Sequence, residues 1–520
     1  MRKAKQPKAI PKKKSNRMLS WLPRHKLDTF IIAILVVISG VVGAVNMTGY
    51  PQRFEDEGTY ISQAWAIKER STLTHYTYWY DHPPVGWIQM AGHLTLTDAL
   101  DRYGSAITAG REFMLLLHLA TIVLLYALAR RFGLGSIAAG AGTLAYALSP
   151  LTVEFSRYVL LDNVALPWLL GSFLLALSPR QHIATAIGSA ICMAIAILSK
   201  ETFVVLLPVL LYALWNSGDK RNRRFCLAAF GVIFVMVSGF YVLYASLKYE
   251  LFPGEGHVSL LGTFFWQLLG REGSGSILDA TSGSRDLVEY WLRIDYWLML
   301  AGVVTLPLAF IYRRLRVAAF VLLIGLLLLL RSGYLPYPYI IMLLPFAALV
   351  FSGVLHYVLL VPLQKHSFSV RGILTRTVVL ALVSATTIFV APGWHTKLTS
   401  ATTIDHDASS RQAIEWIDRN ITRDNRLVVE SALWTDLQTK GFNSPDPVWL
   451  YKTETDPAIV KEIGGWKGVD YVILNGPTLG GKGFETTFPT VTEAIKHGDI
   501  KAQFGYDNQK ILIYQINHTR

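Results

Sequence analysis

Apolar stretches of about 20 residues recur from Phe30 to Val390 and then stop, and about 20 residues is what an α-helix needs to cross ~30 Å of hydrocarbon. Lipid cannot satisfy open backbone groups, so such runs must fold as helices and pack as a bundle. With 52% hydrophobic and only 16% charged residues, a reading of the 520-residue chain as a string of soluble domains is excluded. The runs fall near 28–47, 108–129, 134–150, 163–178, 183–199, 201–216, 225–247, 291–311, 317–332, 339–361 and 376–392, which predicts about eleven transmembrane helices. Three parts follow: a basic tail over 1–27, an all-α polytopic membrane bundle over 28–392, and a soluble α/β domain over 393–520.

Charge supplies the orientation. The chain carries a formal +13, yet the 14 basic and 16 acidic residues from Trp394 onward leave that part at −2, so the positive excess belongs to the membrane half. Ten of the first 26 residues are Lys or Arg, with no acid among them and no small-residue cleavage site after Phe30. A basic run directly before an apolar span sets topology or meets anionic lipid, in preference to nucleic acid. From a cytoplasmic N-terminus, alternate connections carry Arg130 and Arg131, Arg180, Lys220 to Arg224, Arg313 to Arg316 and Lys365 to Arg376, as inner loops should. Segments 48–107, 151–162, 248–290 and 333–338 then face outward with the C-terminal domain, in the plasma membrane of a cell. The only cysteines, Cys192 and Cys226, lie in or beside apolar spans and offer no disulfide framework or thiolate metal site.

In the long outer segment 48–107, Tyr60, Ile61, Ala64 and Trp65, and later Trp87, Ile88, Met90 and Ala91, recur at helical spacing and predict two interfacial helices. Segment 248–290 is rich in Gly and Ser, the composition of a mobile lid. Beyond Trp394, a helix bearing Ile414, Ile417 and Ile421 on one face, strands at Leu427–Glu430 and Tyr471–Leu474, and a closing hairpin of Ala502–Tyr506 and Ile511–Ile516 predict the α/β fold.

The candidate chemistry sits in the outer segments. Glu55-Asp56-Glu57 follows the first span and fits a general base or cation site, or else an acidic run that suits a helix start. Arg157 and Asp162 stand at the mouth of two apolar spans, where ionised groups are costly unless paired; they read as functional groups or as an ion pair joining helices. In Asp81-His82-Pro83-Pro84-Val85-Gly86-Trp87, the prolines lead into a helix start whose free N–H groups favour an anion, with His82 as a donor to phosphate or sugar. Lys200, in Ser199-Lys200-Glu201, and Arg331, before Ser332-Gly333-Tyr334-Leu335-Pro336-Tyr337-Pro338, suit a lipid phosphate or simply snorkel to the interface.

In this order and sidedness, the motifs around Asp56-Glu57, His82-Pro83-Pro84-Val85-Gly86, Arg157 with Asp162 and Asn163, Ser199-Lys200-Glu201 and Tyr334–Pro338 resemble the GT-C glycosyltransferases. The likeness spans roughly 28–350 and is greatest to the branch of protein O-mannosyltransferases and lipid A aminoarabinose transferases (family 39-like). That resemblance implies a polyprenyl-phosphate sugar donor, inversion at the anomeric carbon and an outward-facing site. It assigns catalysis to Asp56, with Glu57 beside it and Asp162 supporting the acceptor or a divalent cation (Mg, Mn or Ca) held by Asp56 and Asp162. Donor phosphate binding falls to Arg157, Lys200, Arg331 and His82, although aminoarabinose transferases have a lysine where this chain has His82. No organic cofactor is implied. The acceptor is an outer-face protein Ser/Thr, glycolipid or cell-wall glycan, and the sugar mannose or another hexose or pentose. The competing class is a non-enzymatic transporter of lipid-linked sugar or a binding scaffold, but charge clusters at span ends and no inverted repeat is evident.

Overall fold

The computed structural model describes residues 26–179, 182–217, 221–361, 370–481 and 483–518. The basic tail up to His25, Arg180, Lys220 and Lys365 lie outside the described residues.

Every predicted apolar run coincides with a helix. They are Lys26–Ala44, Ala106–Arg131, Ser136–Leu148, Leu161–Ala176, Ile183–Ser199, Glu201–Ser217, Arg223–Leu247, Trp297–Ile311, Arg316–Leu329, Tyr337–Leu360 and Val370–Thr403. Among the described residues, four of these are by length and composition able to cross a membrane on their own, or six if two bent pairs each count as one span. The chain is an integral membrane protein. One bent pair is Ser136–Leu148 with Pro150–Arg157, angled by 63°, and the other is Gly283–Ile294 with Trp297–Ile311, angled by 104°. Pro150 has no N–H to continue the first helix, and the Ser149 hydroxyl caps the new one by accepting from the Thr152 N–H. Both breaks meet on one buried carboxylate: Asp295 accepts from Ser149 Oγ at 2.6 Å, the Trp297 N–H at 2.9 Å and Trp394 Nε1 at 3.1 Å. The continuous span predicted at 291–311 therefore crosses a sharp corner, and the last helix runs on to Thr403, past the predicted boundary at 393.

The 48–107 segment holds the two predicted helices, Glu55–Arg70 and Val85–Thr97, and a short third, Ala99–Tyr103. In the C-terminal part, a five-stranded sheet has the order β2-β1-β3-β5-β4, from β1 (Leu427–Val429), β2 (Val448–Trp449), β3 (Tyr471–Asn475), β4 (Gly498–Phe504) and β5 (Ile511–Ile516). β1 pairs in parallel with β2 and β3, whereas β5 runs antiparallel to β3 and β4. The edge strand β2 has no counterpart among the predicted strands, because two residues carry no periodicity.

The sheet region is held against the Glu55–Arg70 helix. Arg53 forms ion pairs with Asp407 at 2.7 Å and Asp436 at 2.6 Å, all three side chains almost wholly buried. At Gly58 the helix meets the C-terminal backbone so closely that a Cβ would stand 2.2 Å from the carbonyl of Ser431. Beside them His75 stacks on Trp434 with ring centres 3.8 Å apart, and Trp65 meets Trp434 edge-on. Large aromatic areas are thus removed from water along this seam.

Candidate active site

Three consecutive acids open the Glu55–Arg70 helix, and a rotation of about 100° per residue sends them to three destinations. Glu55 accepts from the Ser431 N–H at 2.9 Å and its hydroxyl at 2.6 Å, beside Glu430. Burial raises the pKa of both carboxyls, and the charge of Glu55 raises that of Glu430 further. Glu57 is fully buried and grips Arg111 in a two-pronged pair of 3.0 and 2.8 Å. It also accepts from the N–H groups of Val159 and Phe54, each at 3.0 Å. Asp56 stands between them, half-buried, and accepts no hydrogen bond from the described residues. Burial raises its pKa, while the neighbouring charges of Lys200, His82 and Arg271 pull it back down.

Lys200 arrives through a break in the chain. The Ile183–Ser199 helix stops there, Lys200 is extended at φ −149° and ψ 110°, and a 3₁₀ turn begins at Glu201. Its ammonium lies 3.3 Å from His82 Nε2, and His82 Nδ1 lies 3.0 Å from Glu201. With Nδ1 donating to Glu201, Nε2 is left to accept from Lys200, which keeps N–H groups free for another anion. Gly86 allows this meeting: a Cβ there would stand 2.5 Å from Leu161 and 3.3 Å from the Ser199 carbonyl. Burial lowers the Lys200 pKa, but Glu201, Asp162 and Asp56 outweigh it and the net shift is upward. Asp162, 3% exposed at the start of the Leu161–Ala176 helix, keeps one buried oxygen without a hydrogen-bond partner.

The structure thus gathers Asp56, Asp162, Lys200 and His82, drawn from three separate connections. It does not bring Glu57, Arg157 or Arg331 to them. Glu57 is spent on Arg111, because its side chain leaves the helix on another face. Arg157 makes no pair with Asp162; its guanidinium donates to the carbonyls of Val42, Val45, Tyr50 and Ala401 at 2.7–3.2 Å. It ties the ends of the first and last apolar helices together. Arg331 stays exposed and donates to the Tyr334 carbonyl at 3.4 Å.

A different arginine takes its place. Arg271, from the Gly-rich segment, lies 3.4 Å over the Tyr334 ring and acts on Asp56. The flanking Gly270 and Gly273 single out the segment but not this side chain. The segment is fastened down, with Thr263 Oγ1 on the Trp79 carbonyl at 2.6 Å and the Ser274 hydroxyl accepting from the Leu335 N–H at 3.2 Å. Tyr451 of the C-terminal region lies within electrostatic reach of Asp81 and Asp56. No sequence signal marks it.

Among the described residues, no group of three or more His, Cys, Asp or Glu side chains is arranged to hold a metal ion. The charges of Asp56 and Asp162 both act on the Lys200 ammonium, which supplies positive charge where a cation was expected. The divalent site expected at Asp56 and Asp162 is not formed as a group of three or more ligands among the described residues.

Compared with solved structures, the chain has the GT-C fold. It is similar to ArnT from Cupriavidus metallidurans bound to undecaprenyl phosphate, at 15% identity over 94% of this chain and 97% of that one, with a TM-score of 0.59. It is also similar to the oligosaccharyltransferase AglB from Archaeoglobus fulgidus in complex with an inhibitory peptide and a dolichol-phosphate, at 12% identity, 94% and 75% coverage and a TM-score of 0.57. An oligosaccharyltransferase from Archaeoglobus fulgidus in complex with Zn and sulfate is similar as well, at 13% identity, 91% and 73% coverage and a TM-score of 0.54. In sequence, residues 81–243 match the family described as dolichyl-phosphate-mannose-protein mannosyltransferase. That stretch includes His82, Asp162 and Lys200 and begins after Asp56. No curated protein sequence matches the chain.

Proposed function

We propose that the protein is an inverting glycosyltransferase that moves a sugar from a polyprenyl phosphate to an acceptor hydroxyl on the outer face of the membrane. The observation that carries this reading is Asp56: a carboxylate without hydrogen bonds among the described residues, beside a buried ammonium and a histidine. An attacking hydroxyl must lose its proton as the new bond forms, and a carboxylate whose pKa is raised by burial takes it more readily than a free one. Asp56 is that base. Lys200, oriented by His82 and with Arg271 alongside, holds the phosphate leaving group, which needs charge compensation more than protonation. One base suffices for inversion, because the carrier departs with its own charge. Asp162 orients the acceptor through its unpaired oxygen.

Glu57 and Arg157 act at one remove, bracing the helix that carries Asp56 and the ends of the spans around it. The matched family's description favours mannose as the sugar, and the bound lipids of ArnT and AglB favour a polyprenyl-phosphate donor. The acceptor is a protein Ser/Thr, a glycolipid or a cell-wall glycan.

The test is release of free polyprenyl phosphate from a labelled donor by the purified full-length protein. Wild type releases it and Asp56→Asn does not, while still binding donor. Movement of the donor across a vesicle membrane without release would instead make the protein a transporter.

A further inference from the structure

Beyond the group around Asp56 lies another set of unsatisfied donors. Lys452, in the short helix after β2, is 7% exposed, yet among the described residues its ammonium makes no ion pair or hydrogen bond. Three rings surround it, Tyr76 at 5.4 Å, Tyr451 at 5.6 Å and Trp79 at 5.9 Å. The Trp79 indole N–H is also buried without a partner. The nearest acids do not close the box. Asp456 is committed to the N–H groups of Thr77 and Ala458 at 3.0 and 3.1 Å, and Asp81 is exposed. Burial lowers the Lys452 pKa, with Asp456 and Asp81 opposing it weakly. A desolvated ammonium without a directly bonded anion is costly until one reaches it.

The box adjoins the proposed reaction centre. Tyr451, one wall, lies within electrostatic reach of Asp81 and Asp56, whose charges raise its pKa. Trp79 lies three residues before His82 and receives the Thr263 hydroxyl of the Gly-rich segment on its carbonyl. Lys200 and His82 serve the donor side, so this box is placed to serve the other substrate.

Resting on the glycosyltransferase reading, we infer that Lys452 and the Trp79 indole bind an anionic group, phosphate or carboxylate, on a saccharide acceptor. Ring faces of Tyr76 and Tyr451 flank the sugar that bears it. A peptide cannot add as a strand at the adjacent β2 edge, because its Trp449 N–H and Pro447 carbonyl are already engaged. Tyr76 Oη accepts from the Trp449 N–H at 2.9 Å and donates to the Pro447 carbonyl at 3.4 Å. An anion at Lys452 would hold the acceptor hydroxyl near Asp56 through charge-assisted bonds.

The experiment supplies labelled polyprenyl-phosphate sugar to membranes containing the full-length protein and separates the labelled product by anion exchange, with and without protease. The expected product is retained, protease-resistant saccharide; phosphatase strips its charge if the group is phosphate and leaves it if carboxylate. Lys452→Met should raise the acceptor KM about tenfold, leave the donor KM unchanged and be rescued by Lys452→Arg. A neutral or protease-sensitive product, or an unchanged acceptor KM in Lys452→Met, overturns the inference. Should Lys452→Met not fold, the charge of the wild-type product still decides. The glycosyltransferase reading fails separately, if the wild-type protein releases no polyprenyl phosphate from the labelled donor; transfer retained by Asp56→Asn would remove only the assignment of the base.

Discussion

Two buried charge groups lie within one helical turn of each other and are built in opposite ways. Around Glu57, both carboxylate oxygens are engaged, by Arg111 and by two backbone N–H groups, and both terminal nitrogens of Arg157 nearby donate to carbonyls, four in all, although its Nε is buried without a partner among the described residues. Around Asp56, charges of both signs crowd together but, among the described residues, Asp56 and one oxygen of Asp162 are without hydrogen bonds. Buried polar groups in folded proteins are normally satisfied, so the Glu57 group has the character of a structural brace and the Asp56 group that of a site held open for a substrate. Proximity in sequence therefore says little about role: Asp56 and Glu57 are neighbours in the chain and belong to different machinery.

The sharpest way to break the contrast is to remove one member of each group. Asp56→Asn should cut the transfer rate by about 10²–10⁴, the range for a lost general base, with the thermal unfolding midpoint little changed. Glu57→Gln should do the reverse, since an unpaired buried arginine costs roughly 3–5 kcal/mol of stability; a falling unfolding midpoint in detergent would register it. If Glu57→Gln left stability intact and abolished turnover, the two groups would be one.

The pH profile sharpens the comparison on a smaller scale. The base works only when ionised, so transfer should fall as pH drops through the raised pKa of Asp56, above the ~3.9 of a free aspartate. Lys200 lowers that pKa; Lys200→Met should therefore move the acid limb to higher pH as well as raising the donor KM. A limb that stayed in place would separate Lys200 from Asp56. The smallest effect is expected from the two rim arginines. Arg331→Met, at an exposed site, should change the donor KM by no more than about fivefold, the scale of 1 kcal/mol, and by less than Arg271→Met.

The apolar runs and the His-Pro-Pro-Val-Gly and Ser-Lys-Glu motifs are legible because each depends on its own composition: a helix buries what its sequence makes apolar, and Pro and Gly punctuate the chain locally. Asp56, Asp162, Lys200 and His82 stand out together because charge at a span end is conspicuous against apolar neighbours. The corner at Asp295, the two-residue β2 and the choice of Arg271 over Arg331 depend on contacts between distant segments, which leave no periodic trace.

By itself the amino-acid sequence determined a membrane-embedded helical bundle, because hydrocarbon accepts only long apolar helices, and it determined which connections hold the reactive residue types. Tertiary structure alone decided which of three adjacent acids keeps an open carboxylate, that Arg157 is occupied, and that Lys452 from the C-terminal part reaches the Trp79 box. The reason is geometric: a side chain's role is set by the partners that reach it, and those partners arrive from segments hundreds of residues away.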